Sequence, residues 1–90
     1  MTMANLWSGQ ITNKDYEKFT TISGVTLTDD TKYSIQVLGG ARLCDSATKP
    51  GNDEGFLRKD QPEPFGFTKK SGTDLYVRAV TGYCTLNIAE

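Results

Sequence analysis

The sequence predicts an all-β domain, a compact antiparallel sandwich of about seven short strands. Three observations predict it. Threonine, valine, isoleucine and aromatic residues are frequent, and these suit a pleated, half-buried surface. Nine glycines punctuate the 90 residues at about the interval of a short strand plus its turn. No segment keeps helical apolar spacing over several turns.

Taken in order, residues 1–14 read as an N-terminal arm or an edge strand, with Leu6 to Thr12 the strand itself. Asp15 to Ile22 is the next candidate strand, although Tyr16 and Phe19 break strict alternation. Val25-Thr26-Leu27 is a short strand, and Asp29-Asp30-Thr31 turns the chain. Lys32 to Leu38 alternates clearly, with Tyr33, Ile35 and Val37 on one face. Gly39-Gly40 reads as a turn, which makes Ala41 to Asp45 a returning strand. That hairpin sets Ile35 against Cys44 but Val37 against Arg42, a poor core pair that a bulge or longer loop would relieve.

Asp45 to Pro64 is a polar interval holding all three prolines, Pro50, Pro62 and Pro64. Phe56-Leu57 is expected to tuck in as its anchor. Phe65 and Phe67 share one face of a short strand that Lys69-Lys70-Ser71-Gly72 ends. Asp74 to Ala89 reads as a hairpin around Thr81-Gly82. This register puts Leu75, Val77, Ala79, Cys84, Leu86 and Ile88 on one apolar face, and Tyr76, Arg78, Val80, Tyr83, Thr85 and Asn87 on the other.

Charge narrows the function classes. Ten Lys+Arg against eleven Asp+Glu leave a formal net charge of -1, which gives no general attraction to nucleic acid or anionic lipid. No apolar run reaches the roughly 18 residues of a membrane helix. The first residues, Met1 to Trp7, lack the basic and apolar regions of a signal peptide, so synthesis in a cytosol is expected.

The chain has no histidine, hence no imidazole base, ligand or pH switch. Cys44 therefore has no imidazole to activate it, and Cys84 falls on the apolar face. Both read first as buried thiols. A Cys44–Cys84 disulfide requires their strands to be neighbours, which spacing does not decide. The acidic pairs Asp29-Asp30 and Asp53-Glu54 lack calcium-loop spacing, so no metal or cofactor site is expected. The remaining surface candidates are Trp7, Tyr76, Arg78 and Tyr83, because exposed aromatics and arginine concentrate at interfaces. Aromatic rings also stack on sugars, and the alternative for Trp7 is that it closes one end of the core.

Five segments carry a family resemblance: Tyr33-Ser34-Ile35-Gln36-Val37-Leu38-Gly39-Gly40, Ala47-Thr48-Lys49-Pro50, Gly55-Phe56-Leu57, Phe65-Gly66-Phe67-Thr68-Lys69 and Leu75-Tyr76-Val77-Arg78-Ala79. Their order resembles the small β-sandwich virion proteins of tailed bacteriophages over residues 20–89. The two cysteines depart from that pattern. What the resemblance implies is a non-enzymatic virion structural protein, assembled in the bacterial host cytoplasm. Its leading form is a capsid decoration or cement protein that binds the major capsid protein or other virion proteins, as a homo-oligomer on the particle. The fold expected for residues 1–90 is one β-sandwich, jelly-roll or Ig-like, and the interface residues expected from residue type are Trp7, Tyr76, Arg78 and Tyr83. A tail- or fibre-associated attachment module is the nearest alternative. From another class comes a carbohydrate-binding module for host surface glycan, using Trp7 and Tyr76.

Overall fold

A computed structural model describes residues 5–90, apart from the side chains of residues 5, 58–62 and 81. The first four residues of the expected arm lie outside it. The chain forms β1 (Asn5–Ile11), β2 (Glu17–Lys18), α1 (Phe19–Ser23), β3 (Lys32–Ser46), β4 (Phe56–Thr68) and β5 (Asp74–Ala89). All strand pairs are antiparallel, in one sheet of order β1-β5-β3-β4, with β2 pairing β5 beside β1. The all-β class expected from the sequence is what forms. Its facing layers come from one sheet that curls around a shared core.

The curl originates at an offset between β3 and β5. Gly39 pairs with Cys84 and Ala41 pairs with Ala79, so Gly40 alone stands opposite residues 80–83. Three extra residues in β5 bend that strand and reverse its side-chain parity. Before the bulge Leu75, Val77 and Ala79 are buried, and after it Cys84, Leu86 and Ile88. Strand β3 keeps its parity across the bend, burying Tyr33, Ile35, Val37, Ala41 and Leu43. The inward residues of both halves join Ile11, Phe19 and Leu27 in a single apolar core.

This arrangement corrects two expected turns. Thr81-Gly82 is not a hairpin turn: the chain runs on through it as a bulge within β5. Gly39-Gly40 likewise lies inside β3, so Ala41 to Asp45 continues the strand instead of returning, and neither Ile35–Cys44 nor Val37–Arg42 pairs. The face assignments survive, because a three-residue bulge switches parity as a two-residue hairpin does. Five strands run continuously, and dividing β3 and β5 at the bend gives seven segments.

The N-terminal third also differs in detail. Leu6 to Thr12 is an edge strand as expected, ending at Ile11. Of Asp15 to Ile22 only Glu17–Lys18 is strand, and Phe19–Ser23 forms one helical turn. Ser23 closes it by donating from Oγ to the Phe19 carbonyl at 2.8 Å, and Gly24 caps it at φ 76°. Phe19 is thereby driven into the core, where its ring meets Trp7 edge-on at 5.4 Å between centroids. Val25 to Leu27 is irregular, but Leu27 is buried.

Strand β4 carries a second irregularity. Val37 pairs with Gln61 and Ile35 with Phe65, so residues 62–64 bulge opposite Gln36. Pro62 and Pro64 lie in that bulge, where a missing N–H costs no ladder bond.

Gly39 and Gly82 give a test of the bend. Both have positive φ, 99° and 93°. A Cβ on Gly39 would also sit 3.3 Å from the Cys84 backbone, whereas one on Gly82 would meet nothing within 4 Å. Gly82→Ala is therefore expected to cost about 1 kcal/mol and Gly39→Ala about 2–3 kcal/mol, measured by urea unfolding.

Candidate functional site

The outward positions of β3 and β5 near the bend hold Arg42, Cys44, Tyr76 and Arg78. Arg42 stands directly opposite Arg78, and Cys44 opposite Tyr76. Facing like charges are unfavourable unless each is solvated or paired. Here backbone carbonyls accept the guanidinium N–H groups in place of water. Arg78 donates from Nε to the Asn52 carbonyl at 2.9 Å and from Nη1 to the Lys14 carbonyl at 3.2 Å. Arg42 donates from Nη1 to the Asp53 and Gly55 carbonyls at 3.1 and 3.4 Å. The loop of residues 47–55 is thus drawn back over this face.

Tyr16 completes the clasp. Its ring is fully buried and lies 5.9 Å from the Arg78 guanidinium carbon, and its hydroxyl donates to the Glu54 carbonyl. A Cβ on Gly55, at φ 87°, would come within 2.6 Å of that hydroxyl and 2.5 Å of the Leu43 carbonyl, so the closure demands glycine. Tyr16 and Tyr76 form buried satellites apart from the main core. Asn13 seals the gap between β1 and β2: its side-chain amide donates to the Val77 carbonyl, and its carbonyl accepts from the Ala79 N–H, both at 2.8 Å.

These contacts correct part of the expected interface. Tyr76 is 5% exposed, so it offers no open ring. Arg78 is half-buried and engaged in the clasp. Trp7 is half-buried against Phe19 and lies over Gly9, where it closes one end of the core. Tyr83 alone of the four is well exposed, at 59%. The aromatic platforms of the glycan reading, Trp7 and Tyr76, are therefore occupied inside the protein.

Both cysteines are free. Cys84 pairs with Gly39, five positions along β3 from Cys44, which separates them by about 16 Å at the rise of a strand and rules out a disulfide. Burial pushes the Cys44 thiol up, and the Glu54 and Asp45 charges push it the same way. Burial also raises the Cys84 thiol, against a smaller lowering by a backbone hydrogen bond at Ile11.

Two concave surfaces remain. A polar basin of about 520 Å³ is rimmed by Lys18 with Asp74, at 3.6 Å, and by Lys69 paired with Asp29. Its charges are already matched. The other surface is an apolar groove of about 210 Å³ along β4, shared with β3 and with Leu75 of β5. Ile35, Leu43 and Leu75 form its floor, and Phe56, Phe65 and Phe67 its wall. Cross-strand pairing aligns this wall: Phe56 faces Leu43, Phe65 faces Ile35 and Phe67 faces Tyr33. β4 ends the sheet, and Phe65 and Phe67 are half-buried against the core. Phe56, expected as a buried anchor, is 74% exposed, and Leu57 is 42% exposed. Asp45 is the charged residue on the rim.

A second set of exposed apolar residues lies at the bend. Leu38, Val80 and Tyr83 are all exposed there, Tyr83 diagonal to Leu38 across the β3–β5 ladder. Among the described residues no group of three or more Cys, Asp or Glu is placed to hold a metal ion. No family model, curated protein or solved structure matches the chain.

The clasp and the thiols are directly testable. Tyr16→Phe should lose about 1–2 kcal/mol and speed proteolytic cleavage within residues 47–55. The thiols set an alkaline limit. Their folded-state values lie above the ordinary 9.0, so the unfolded chain ionises first as pH rises. Stability is fully present below about pH 9 and is lost above it as pH climbs through the folded-state values, as read from urea midpoints across pH. In the native protein Cys44 should react with a thiol reagent before Cys84, which waits for unfolding.

Proposed function

We propose that this chain is a non-enzymatic bacteriophage virion structural protein, a capsid decoration or cement protein bound to the major capsid protein. The observation that carries the reading is the pair of exposed apolar surfaces on one small domain, the groove along β4 and the projection at the β5 bulge. Copies that coat a particle side by side need surfaces for one another as well as for the shell, and the groove and the projection are two such surfaces. Solvent-exposed apolar surface of this kind marks sites of protein association. The resemblance of residues 20–89 to tailed-phage virion proteins supplies the setting. Near-zero net charge suits packing against protein rather than nucleic acid.

In this reading affinity comes from repetition. A domain of 90 residues offers limited contact area, but copies on a symmetric shell bind side by side and their weak contacts add by multivalency. The clasp supports the role by keeping Arg42, Arg78 and Tyr16 committed internally, so that a rigid outline is presented.

Quantitative mass spectrometry of purified particles tests the assignment. Decoration predicts about one copy per major capsid subunit or per capsomer, hundreds in all. A handful of copies per particle would move the protein to the tail or fibre, and absence from particles would overturn the virion reading.

A further inference from the structure

We propose that the groove along β4 receives Tyr83 of a second copy of this chain. The proposal stands on the groove and the bulge, and does not depend on the virion reading.

Size comes first. An apolar cavity of about 150 Å³ accepts a benzene ring. The groove, at about 210 Å³, has room for one phenol but not for a helix face. Its chemistry selects among rings. Three phenylalanine side chains offer edge and face contacts to an entering aromatic. Asp45 on the rim is a carboxylate, an acceptor that favours a ring carrying a donor over plain phenyl.

The chain itself presents such a ring. Tyr16, Tyr33 and Tyr76 are buried and Trp7 is packed on Phe19, whereas Tyr83 is 59% exposed on the bulge. Val80 and Leu38 beside it supply apolar shoulders to lap the groove rim. Strand-to-strand pairing along β4 is a poorer alternative, because Pro62 and Pro64 interrupt that strand with a bulge. A net charge of -1 sets up little repulsion between copies.

The groove and the projection share no residue. Each contact therefore takes one groove and one Tyr83: met reciprocally across a two-fold axis it closes a dimer, and met head-to-tail it builds a ring or an open row.

Sedimentation velocity on the purified chain and two exposed-site variants tests this. The unaltered chain should associate with rising concentration. Tyr83→Ser and Phe56→Ser, with melting temperatures near that of the parent, should each be monomeric. An equimolar mixture of the two variants should form a one-to-one complex and nothing larger, since one intact groove and one intact Tyr83 remain to meet. Tyr83→Phe and Asp45→Asn should each weaken association about tenfold, and the double variant no more than either alone. A parent chain monomeric up to about 1 mM, a Tyr83→Ser variant that still associates, or a mixture that stays monomeric would overturn the proposal. Particle incorporation is measured separately, so failure here leaves the virion reading to its own test.

Discussion

The structure depends on one offset in the β3–β5 ladder, where Gly40 faces residues 80–83. A strand has a side-chain period of two, so an even insertion would leave the apolar face unchanged and an odd one exchanges it. The insertion here is odd. It lets Leu75, Val77 and Ala79 share a core with Cys84, Leu86 and Ile88 although the two sets differ in parity. It also bends the sheet, which is how a single sheet of modest size surrounds its own apolar side residues. Gly39 meets the resulting close approach with a positive φ and no Cβ.

A domain this short cannot bury everything in one core. The clasp extends the packed interior to the outer face. Two arginines that would repel across the ladder are satisfied largely by carbonyls of the 47–55 loop, and the loop in turn closes over Tyr16. Polar residues that look idle in the sequence, Asn13, Asn52 and Glu54, lend their amide or backbone groups to this arrangement. What stays exposed is Phe56 at the start of β4, beside the groove, and Leu38, Val80 and Tyr83 at the bulge.

Legibility followed the range of the forces. The alternation of Tyr33, Ile35 and Val37, and of the two halves of β5, identified buried faces correctly because that pattern is local. Phe65 and Phe67 were legible as a shared face, but Phe56 joins them only through pairing with Leu43, thirteen residues earlier in the chain. The helical turn left one trace, the three-residue spacing of Phe19 and Ile22, too short to outweigh a strand reading. Tyr76 and Arg78 looked like an exposed pair because alternation says which face a residue takes and nothing about what later lies upon that face.

By itself the sequence determined the all-β class, the identity of the apolar faces and the lack of any imidazole chemistry, while leaving residues 1–14 as either an arm or an edge strand. Only the tertiary structure decided whether Thr81-Gly82 reverses the chain or bulges it. A two-residue hairpin and a three-residue bulge impose the same parity change, so both satisfy the same local pattern. The choice falls to β3, whose unbroken run from Lys32 to Ser46 offers β5 a partner along nearly its whole length. Backbone hydrogen bonding to that distant strand outweighs the weak local preference of Thr-Gly for a turn.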